Sequence, residues 1–250
     1  GTIIKGNYIG LNKDGATASA NQDMGIYIVG SDNTTIGGSA AGEGNVVSGN
    51  TIAGLYITSG SGFANGNVIQ GNIIGAQSNG TSALASGGQP NGIRISSINT
   101  TIGGSTAGDR NIISGNTGGG ILLENTNTGA VITGNYIGPG SGGANIAGHS
   151  QDYGINISIA STNVNNSIGG YNYGTAEGNL VAYNLADGIR IGNSGDDFNL
   201  ISRNLIYGNG SGNKPINLNG AGNDNYTKPV ITSATATDVT GTAQYDALND

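Results

Sequence analysis

The chain has 250 residues, of which 49 are glycine and 35 are asparagine, and charged residues make up only 9% of it. Its formal net charge of −7 provides no basic patch to neutralise phosphates, so we expect no nucleic-acid partner. The absence of cysteine excludes disulfides and thiolate metal sites, and no apolar run reaches the roughly 18 residues that a membrane-spanning helix needs. We therefore expect no membrane insertion.

A glycine-rich polar chain can be disordered, but here Ile, Val and Leu recur in short and regularly placed runs. β-Branched clusters separated by Gly and Asn are typical of many short strands joined by turns. The sequence therefore predicts an all-β fold.

Three short motifs recur along the chain. The first is a hexad, Asn-apolar-apolar-x-x-Asn, whose copies are 45–50, 67–72, 111–116, 179–184 and 199–204, with variants at 2–7 and 130–135 that keep only the final Asn. The second is Gly-apolar-x-apolar, which begins at Gly25, Gly54, Gly92, Gly120, Gly154 and Gly188. The third is Thr-Ile-Gly-Gly at Thr35 and Thr101, echoed at Ser167. Together they give about three strand-sized runs per repeating unit.

This pattern predicts a single-stranded right-handed parallel β-helix of about seven coils, with three short strands in each coil. Because side chains alternate along a strand, Ile26 and Ile28 are expected to point inward and Tyr27 outward. Stacking the units should then align one buried apolar column, formed by Ile26, Leu55, Ile93, Ile121, Ile155 and Ile189.

The asparagines that end the hexads suit tight bends between sheets, because Asn tolerates left-handed backbone and hydrogen-bonds to local backbone. We expect them to stack at one bend and to bond amide to amide as a structural ladder. Its predicted members are Asn7, Asn50, Asn72, Asn116, Asn135, Asn184 and Asn204.

The repeat pattern ends near residue 227. We therefore divide the chain into a β-helix at 1–227 and an extended C-terminal strand segment at 228–250. In the second part, Pro229–Ser233 and Val239–Thr242 alternate threonine with apolar residues.

The Gly-Ile-x-Ile, Asn-x-Ile-x-Gly-Asn and Ile-Gly-Gly elements resemble the right-handed parallel β-helix repeats of the pectate-lyase-like superfamily. They are most similar to repeat regions of large secreted or surface-attached bacterial proteins. The resemblance covers about residues 1–227, and it implies an extracellular or cell-surface location. The stretch after residue 228 is similar to the junction that, in such proteins, leads into an immunoglobulin-like module.

Enzymes on this fold need carboxylates on an outer face or in loops beside it. The predicted outer column holds Tyr27, Tyr56, Arg94, Leu122, Asn156 and Arg190 and contains no acid. The next outward column, Val29, Thr58, Ser96, Glu124, Ser158 and Gly192, has one acid, which we expect to pair diagonally with Arg94. We therefore assign no catalytic residue, metal site or cofactor.

For the remaining polar and charged residues we prefer an interpretation without a catalytic role. His149 near Asp152 is interpreted as a solvated loop residue, and Asp187 as a surface ion pair with Arg190. Asp196-Asp197 and Asn12-Lys13-Asp14-Gly15 are interpreted as turns. If the chain were an enzyme, Glu124, His149, Asp152, Asp187 and Arg190 would be its candidates.

The predicted outer face also contains candidate ligand-binding residues. Tyr27 and Tyr56 should stack about 5 Å apart on the outer face, where an aromatic pair can contact a sugar ring. With Arg94 and Arg190 they form the candidate ligand-binding set.

The leading hypothesis is a non-catalytic extracellular scaffold with a structural or adhesive role. It would act alone, or with a polysaccharide, another surface protein or further copies joined end to end. A polysaccharide lyase or glycoside hydrolase and a carbohydrate-binding module are the alternatives.

Overall fold

The computed structural model describes residues 1–19, 23–60, 64–85, 88–125, 127–159, 163–170, 177–192, 195–210, 212–218, 230–234 and 239–242. These residues contain no α-helix. In this part of the chain, no helix long and apolar enough to cross a membrane was found.

Twenty-one strands form three parallel sheets of seven, which we call sheets A, B and C. Sheet A consists of β1 (Ile3–Ile4), β4 (Thr35–Gly37), β7 (Val68–Gln70), β10 (Thr101–Gly103), β13 (Val131–Thr133), β16 (Ser167–Gly169) and β19 (Leu200–Ser202). Sheet B consists of β2 (Tyr8–Ile9), β5 (Val46–Val47), β8 (Ile73–Ile74), β11 (Ile112–Ile113), β14 (Tyr136–Ile137), β17 (Leu180–Ala182) and β20 (Leu205–Tyr207). Sheet C consists of β3 (Met24–Val29), β6 (Ala53–Thr58), β9 (Asn91–Ser96), β12 (Gly119–Glu124), β15 (Tyr153–Ile159), β18 (Ile189–Ile191) and β21 (Ile216–Leu218).

Each coil contributes one strand to each sheet in the order A, B, C, and successive coils pair in parallel. The fold is therefore a right-handed parallel β-helix of seven coils with three strands per coil, and the sequence prediction is confirmed. At about 4.8 Å per paired strand, the seven coils give a rod about 34 Å long.

The interior is a stack of branched aliphatic side chains from all three sheets. The predicted column from sheet C lies in register, with Ile26 opposite Leu55 and Ile93 opposite Ile121, and its members are buried. Sheet A adds a second column and sheet B a third, so that each coil covers the apolar edge of its neighbour.

The glycine that begins each Gly-apolar-x-apolar motif lies at the start of a sheet C strand, next to the bend between sheets B and C, which we call the B/C bend. A Cβ atom at Gly120 would lie 2.6 Å from Nε2 of Gln151 and 2.9 Å from Cγ2 of Ile137. Gly54 and Gly154 are crowded in the same way. The motif therefore begins with glycine because the corner is already filled by core and amide side chains.

Asparagine ladders are present, but the expectation of a single row is wrong. Seven asparagines join at the bend between sheets A and B, with side-chain amide bonds of 2.8–3.0 Å, in the order Asn7, Asn45, Asn72, Asn111, Asn135, Asn179 and Asn204. A second ladder at the B/C bend, with bonds of 2.8–3.1 Å, runs through Asn50, Gln89, Asn116, Gln151, Asn184 and Asn209. The two rows arise because the hexads flank a sheet B strand in some coils and a sheet A strand in others, so that their final asparagines lie at two different bends.

Long loops occur at two bends and alternate from coil to coil. In the odd coils, loops 10–19, 75–84 and 138–148 follow the sheet B strands, and they contact each other through the bonds Ser78 N to Gly15 O and Ser141 N to Gly80 O, both 2.8 Å. In the even coils, loops 38–44 and 104–110 follow the sheet A strands. Of the corresponding loop after β16, residues 171–176 lie outside the described part. The molecule therefore has a repeat of two coils.

Beyond the helix, β22 (Val230–Ala234) and β23 (Val239–Thr242) pair antiparallel with each other and join none of the three sheets. Residues 219–229, which contain the predicted boundary at 227/228, lie outside the described residues. The immunoglobulin-like module stays a prediction.

Candidate binding surfaces

The outer face of sheet C carries the candidate ligand-binding residues in the predicted register. Tyr27 pairs with Tyr56, Tyr56 with Arg94, and Asn156 with Arg190. The rings of Tyr27 and Tyr56 are stacked, with centroids 5.5 Å apart and planes 19° apart. The Tyr27 side chain is 56% exposed. The predicted aromatic stack is therefore present, and its contact with a sugar stays a prediction.

Arg94 extends this stack. Its guanidinium carbon lies 4.6 Å from the centre of the Tyr56 ring, on which it forms a cation–π contact. Burial, followed by the nearby Glu124 carboxylate, raises the pKa of Tyr56. Tyr56 therefore has neighbours on both sides along the rod, and it offers a ligand less ring surface than Tyr27.

Glu124 and Arg94 form the predicted diagonal pair, in which Glu124 is buried and Arg94 is partly exposed. Nη2 of Arg94 donates to Oε1 and Oε2 of Glu124 at 2.8 and 3.0 Å, and Nε donates to Oε1 at 3.1 Å. Glu124 is only 2% exposed. The one acid of the second outward column is therefore held in a structural ion pair.

We expect Arg94→Ala to lower the free energy of unfolding by about 3 kcal/mol, because it leaves the Glu124 carboxylate buried without its counter-ion. Urea unfolding at neutral pH measures the loss. The double variant Arg94→Met/Glu124→Met should recover most of it, because neither charge then remains. Equal stability of Arg94→Ala and the unchanged protein would contradict the structural importance of this pair.

The predicted partner of Glu124 in the next coil is wrong by one position. A register irregularity after Leu123 places Glu124 opposite Ile159 rather than opposite Ser158. The bulge adds one residue to β15, which period-2 counting along the sequence does not detect.

Asp187 does not pair with Arg190 as predicted. Its two carboxylate oxygens accept hydrogen bonds from the backbone N of Lys214 at 2.9 Å and from Nδ2 of Asn217 at 2.7 Å. Nη1 of Arg190 instead donates to the hydroxyl of Tyr153 at 3.2 Å, and the guanidinium lies over that ring. Asp187 is thus almost fully buried and ties the sixth coil to the seventh.

The interpretation of His149 as a solvated loop residue is also wrong. Its Nδ1 lies 3.3 Å from Oγ of Ser114, and its Nε2 is buried without a hydrogen-bond partner among the described residues. Burial lowers the pKa of His149 to about 4. The ring is therefore partly buried against Ser114 and neutral at pH 7.

This packing predicts a pH effect on stability. The pKa of His149 is about 4 in the folded protein and about 6.5 when unfolded, so the unfolded chain binds the proton more tightly. Stability from this group should be complete above pH 6.5, fall as the pH drops toward 4, and change no further below 4. After allowance for partial exposure, the loss should be on the order of 2 kcal/mol. Urea unfolding of the protein and of His149→Gln between pH 7 and 4 measures the difference. Parallel pH profiles would contradict it.

The five enzyme candidates do not converge on one groove. Asp152 lies beside Gly118 at the start of the sheet C strands, whereas Glu124 lies at their far end. Six strand residues at about 3.3 Å each separate these positions by about 20 Å. No group of three His, Asp or Glu side chains that could hold a metal ion occurs within the described ranges.

Two further acidic sites have structural partners. Asp14 accepts hydrogen bonds from the backbone N of Ala16 and Thr17, both 2.9 Å, which lower its pKa and confirm the predicted turn. Asp196 is fully buried, and its Oδ1 accepts from Nδ2 of Asn163 at 2.8 Å. Asp196 therefore belongs to a third polar stack, at the bend from sheet C to sheet A, rather than to a simple turn.

A groove of about 850 Å³ lies on the outer face of sheet B, which was not predicted as a binding surface. Tyr8, Val46, Ile73 and Ile112, one from each of the first four coils, form its floor. We call it the B-face groove. It has one wall from the even-coil loops and another from the tips of the odd-coil loops, which contribute Ser78 and Ser141.

Arg110 is the charged residue that lines the described groove. Its guanidinium lies over the Tyr136 ring, 4.2 Å from the centroid, and its Nε donates to the carbonyl of Gly134 at 3.1 Å. Its two terminal nitrogens make no hydrogen bond to a described residue, so their N–H groups can donate to an anionic ligand.

The sequence did contain a signal for this surface. The hexads have two adjacent apolar residues, such as Val46 and Val47, and neighbouring residues in a strand point to opposite faces. One of the two must therefore face outward, where loops cover it. The pattern therefore predicts that loops cover an apolar outer face, but it does not predict which loops form the walls of the groove.

No match was found for the chain among protein-family models, curated proteins or solved structures.

Proposed function

We propose that this β-helix is a non-catalytic scaffold with a structural or adhesive role, located outside the cell or at its surface. The observation that carries the proposal is the structural use of two of its three candidate catalytic carboxylates. Glu124 is bound by Arg94, and Asp187 by the backbone of Lys214 and the side chain of Asn217. A carboxylate held in this way is not free to act as a general base.

The interior gives independent support to a structural role. Two amide ladders and the continuous apolar core link each coil to the next. Fully paired buried polar networks rigidify a structure and specify one arrangement of it. The extracellular location is supported by the resemblance of the repeats to those of large secreted bacterial proteins.

The proposal is tested by incubating the purified protein with pectate, alginate, xylan and a neutral glucan. We expect neither unsaturated uronates, detected by ultraviolet absorbance, nor new reducing ends. A heat-denatured sample is the control. Product formation that disappears in Glu124→Gln or Asp187→Asn would contradict the proposal and favour the polysaccharide-active enzyme.

End-to-end association of rods is a further part of the proposal. Sedimentation velocity over a range of protein concentrations tests it, with electron microscopy of the same samples. Filaments or a concentration-dependent increase in sedimentation coefficient would support it, and a single monomeric species would contradict it.

A further inference from the structure

The B-face groove has the shape of a site for an extended chain. Its floor residues Tyr8, Val46, Ile73 and Ile112 succeed one another along the rod, one per coil. Four coils at about 4.8 Å each make the groove about 19 Å long. An extended peptide of six residues, at about 3.3 Å per residue, has the same length.

The charge of the groove favours an acidic ligand. Glu43 in one wall loop is bound by Nζ of Lys5 at 3.0 Å and accepts from the backbone N of Ala40. Asp109, in the second even-coil loop of the same wall, accepts at Oδ2 from the backbone N and the hydroxyl of Thr106 at 3.0 and 2.7 Å. Both oxygens of Glu43 and one oxygen of Asp109 are therefore already bound, whereas Arg110 lines the groove and its terminal nitrogens make no hydrogen bond to a described residue. A cationic site in a chain of net charge −7 complements a carboxylate.

The lining residues favour a peptide over a glycan. Sugar sites place planar amide and carboxylate side chains against hydroxyl groups, and no Asn, Gln, Asp or Glu lines the described groove. Six of the lining residues are glycine and three are alanine. Such small residues allow the backbone of a ligand to approach closely, and the apolar floor can receive its side chains.

We propose that the B-face groove binds an extended peptide segment of a partner protein, with apolar side chains on the floor and one carboxylate at Arg110. The inference rests on the proposed scaffold role and deepens it, because it names the kind of partner that the scaffold holds. Cleavage of the bound peptide would contradict the non-catalytic role alone, whereas absence of binding would contradict this proposal alone.

The test uses the full chain and a fluorescein-labelled hexapeptide in which valine and serine alternate before a final aspartate, with its C-terminus amidated. Fluorescence anisotropy should give a dissociation constant of about 100 µM or below, as expected for a small interface. The same peptide with asparagine in place of aspartate should bind at least about tenfold more weakly, because it loses the charge pair with Arg110.

Two pairs of variants locate the site. Arg110→Gln should weaken binding about tenfold or more, whereas Lys13→Gln, which removes an exposed charge outside the groove, should leave it unchanged. Ala107→Trp should block the groove, whereas Ser105→Trp, in the same exposed loop but outside the lining, should not. Circular dichroism checks that each variant is folded.

Three results would overturn the proposal: equal binding of the two peptides, equal binding by Arg110→Gln and the unchanged protein, or no binding at millimolar peptide. A labelled oligogalacturonate provides a further arm. Binding of this glycan that depends on Arg110, without binding of the peptide, would assign the groove to an acidic glycan instead.

Discussion

Gly120→Ala is expected to lower the free energy of unfolding by about 3 kcal/mol or more. The added Cβ would lie 2.6 Å from Nε2 of Gln151, 2.8 Å from the carbonyl oxygen of Gly154 and 2.9 Å from Cγ2 of Ile137. The first atom belongs to the B/C ladder, the second to the next coil and the third to the core. Relief of one contact therefore worsens another, and overpacking of a filled interior typically costs about 1–3 kcal/mol before any hydrogen bond is lost.

The matched control is Gly142→Ala. A Cβ at Gly142 meets no atom within 4 Å, and its backbone is not left-handed. Urea unfolding should show this variant equal to the unchanged protein, or more stable by about 0.5 kcal/mol, since alanine restricts the unfolded chain. If Gly120→Ala and Gly142→Ala behaved alike, the role of the glycine column would be refuted.

Asn135→Ala is expected to lower the free energy of unfolding by about 4 kcal/mol. Its Oδ1 accepts from the backbone N and the Nδ2 of Asn111, and its Nδ2 donates to the carbonyls of Ile102 and Thr133 and to Oδ1 of Asn179. The side chain is fully buried, so its removal leaves several polar groups without partner or water. Each buried polar group left without a partner lowers the free energy of unfolding by about 1–3 kcal/mol. Relaxation of the neighbouring residues offsets part of this loss.

The control for this substitution is Asn145→Ala, which removes an exposed asparagine from a loop and should change stability by less than about 0.5 kcal/mol. Asn135→Asp is a sharper probe, because it keeps the size but replaces a donor with an acceptor that faces Oδ1 of Asn179. We expect it to be at least as destabilising as alanine at pH 7. A small effect of both substitutions would show that the ladder does not stabilise the coils.

The sequence was sufficient for the architecture because the repeats carry both the strand period and the coil spacing. The buried column from Ile26 to Ile189 and the outer column from Tyr27 to Arg190 lie in the predicted register. Each coil repeats the same local pattern, so a single motif alignment predicts many contacts between residues far apart in the chain.

The errors have identifiable physical causes. The hexad flanks strands of sheet A in some coils and strands of sheet B in others. Its final asparagine therefore lies at one of two bends, and the asparagines form two ladders instead of one. Gln89 and Gln151 follow the long loops of the third and fifth coils, where no hexad flanks the sheet B strand, and they supply the amide of the B/C ladder in those coils. The burial of Glu124 and His149 depends on how neighbouring coils and loops pack, which the local sequence does not reveal.

The candidate sites were predicted less well than the fold. Tyr27, Tyr56 and Arg94 were placed on one face because period-2 alternation determines the side on which they lie. The B-face groove depends on loops from different coils that meet above sheet B, such as those that contribute Ser39 and Ser78. Contacts between loops depend on loop conformation. Glycine allows many backbone conformations, so the sequence of a glycine-rich loop does not determine which one it adopts.

The alternation of the long loops sets the step in which the rod can change length. Thr35 and Thr101 occupy equivalent places 66 residues apart, and Ser167 follows after another 66. Deletion of residues 35–100 would join Thr34 to Thr101 and remove two coils, about 10 Å of rod, while the loops still alternate. Removal of a single coil would place two loops of the same kind in adjacent coils, where they would collide. Growth or shortening by duplication and deletion should therefore proceed in pairs of coils.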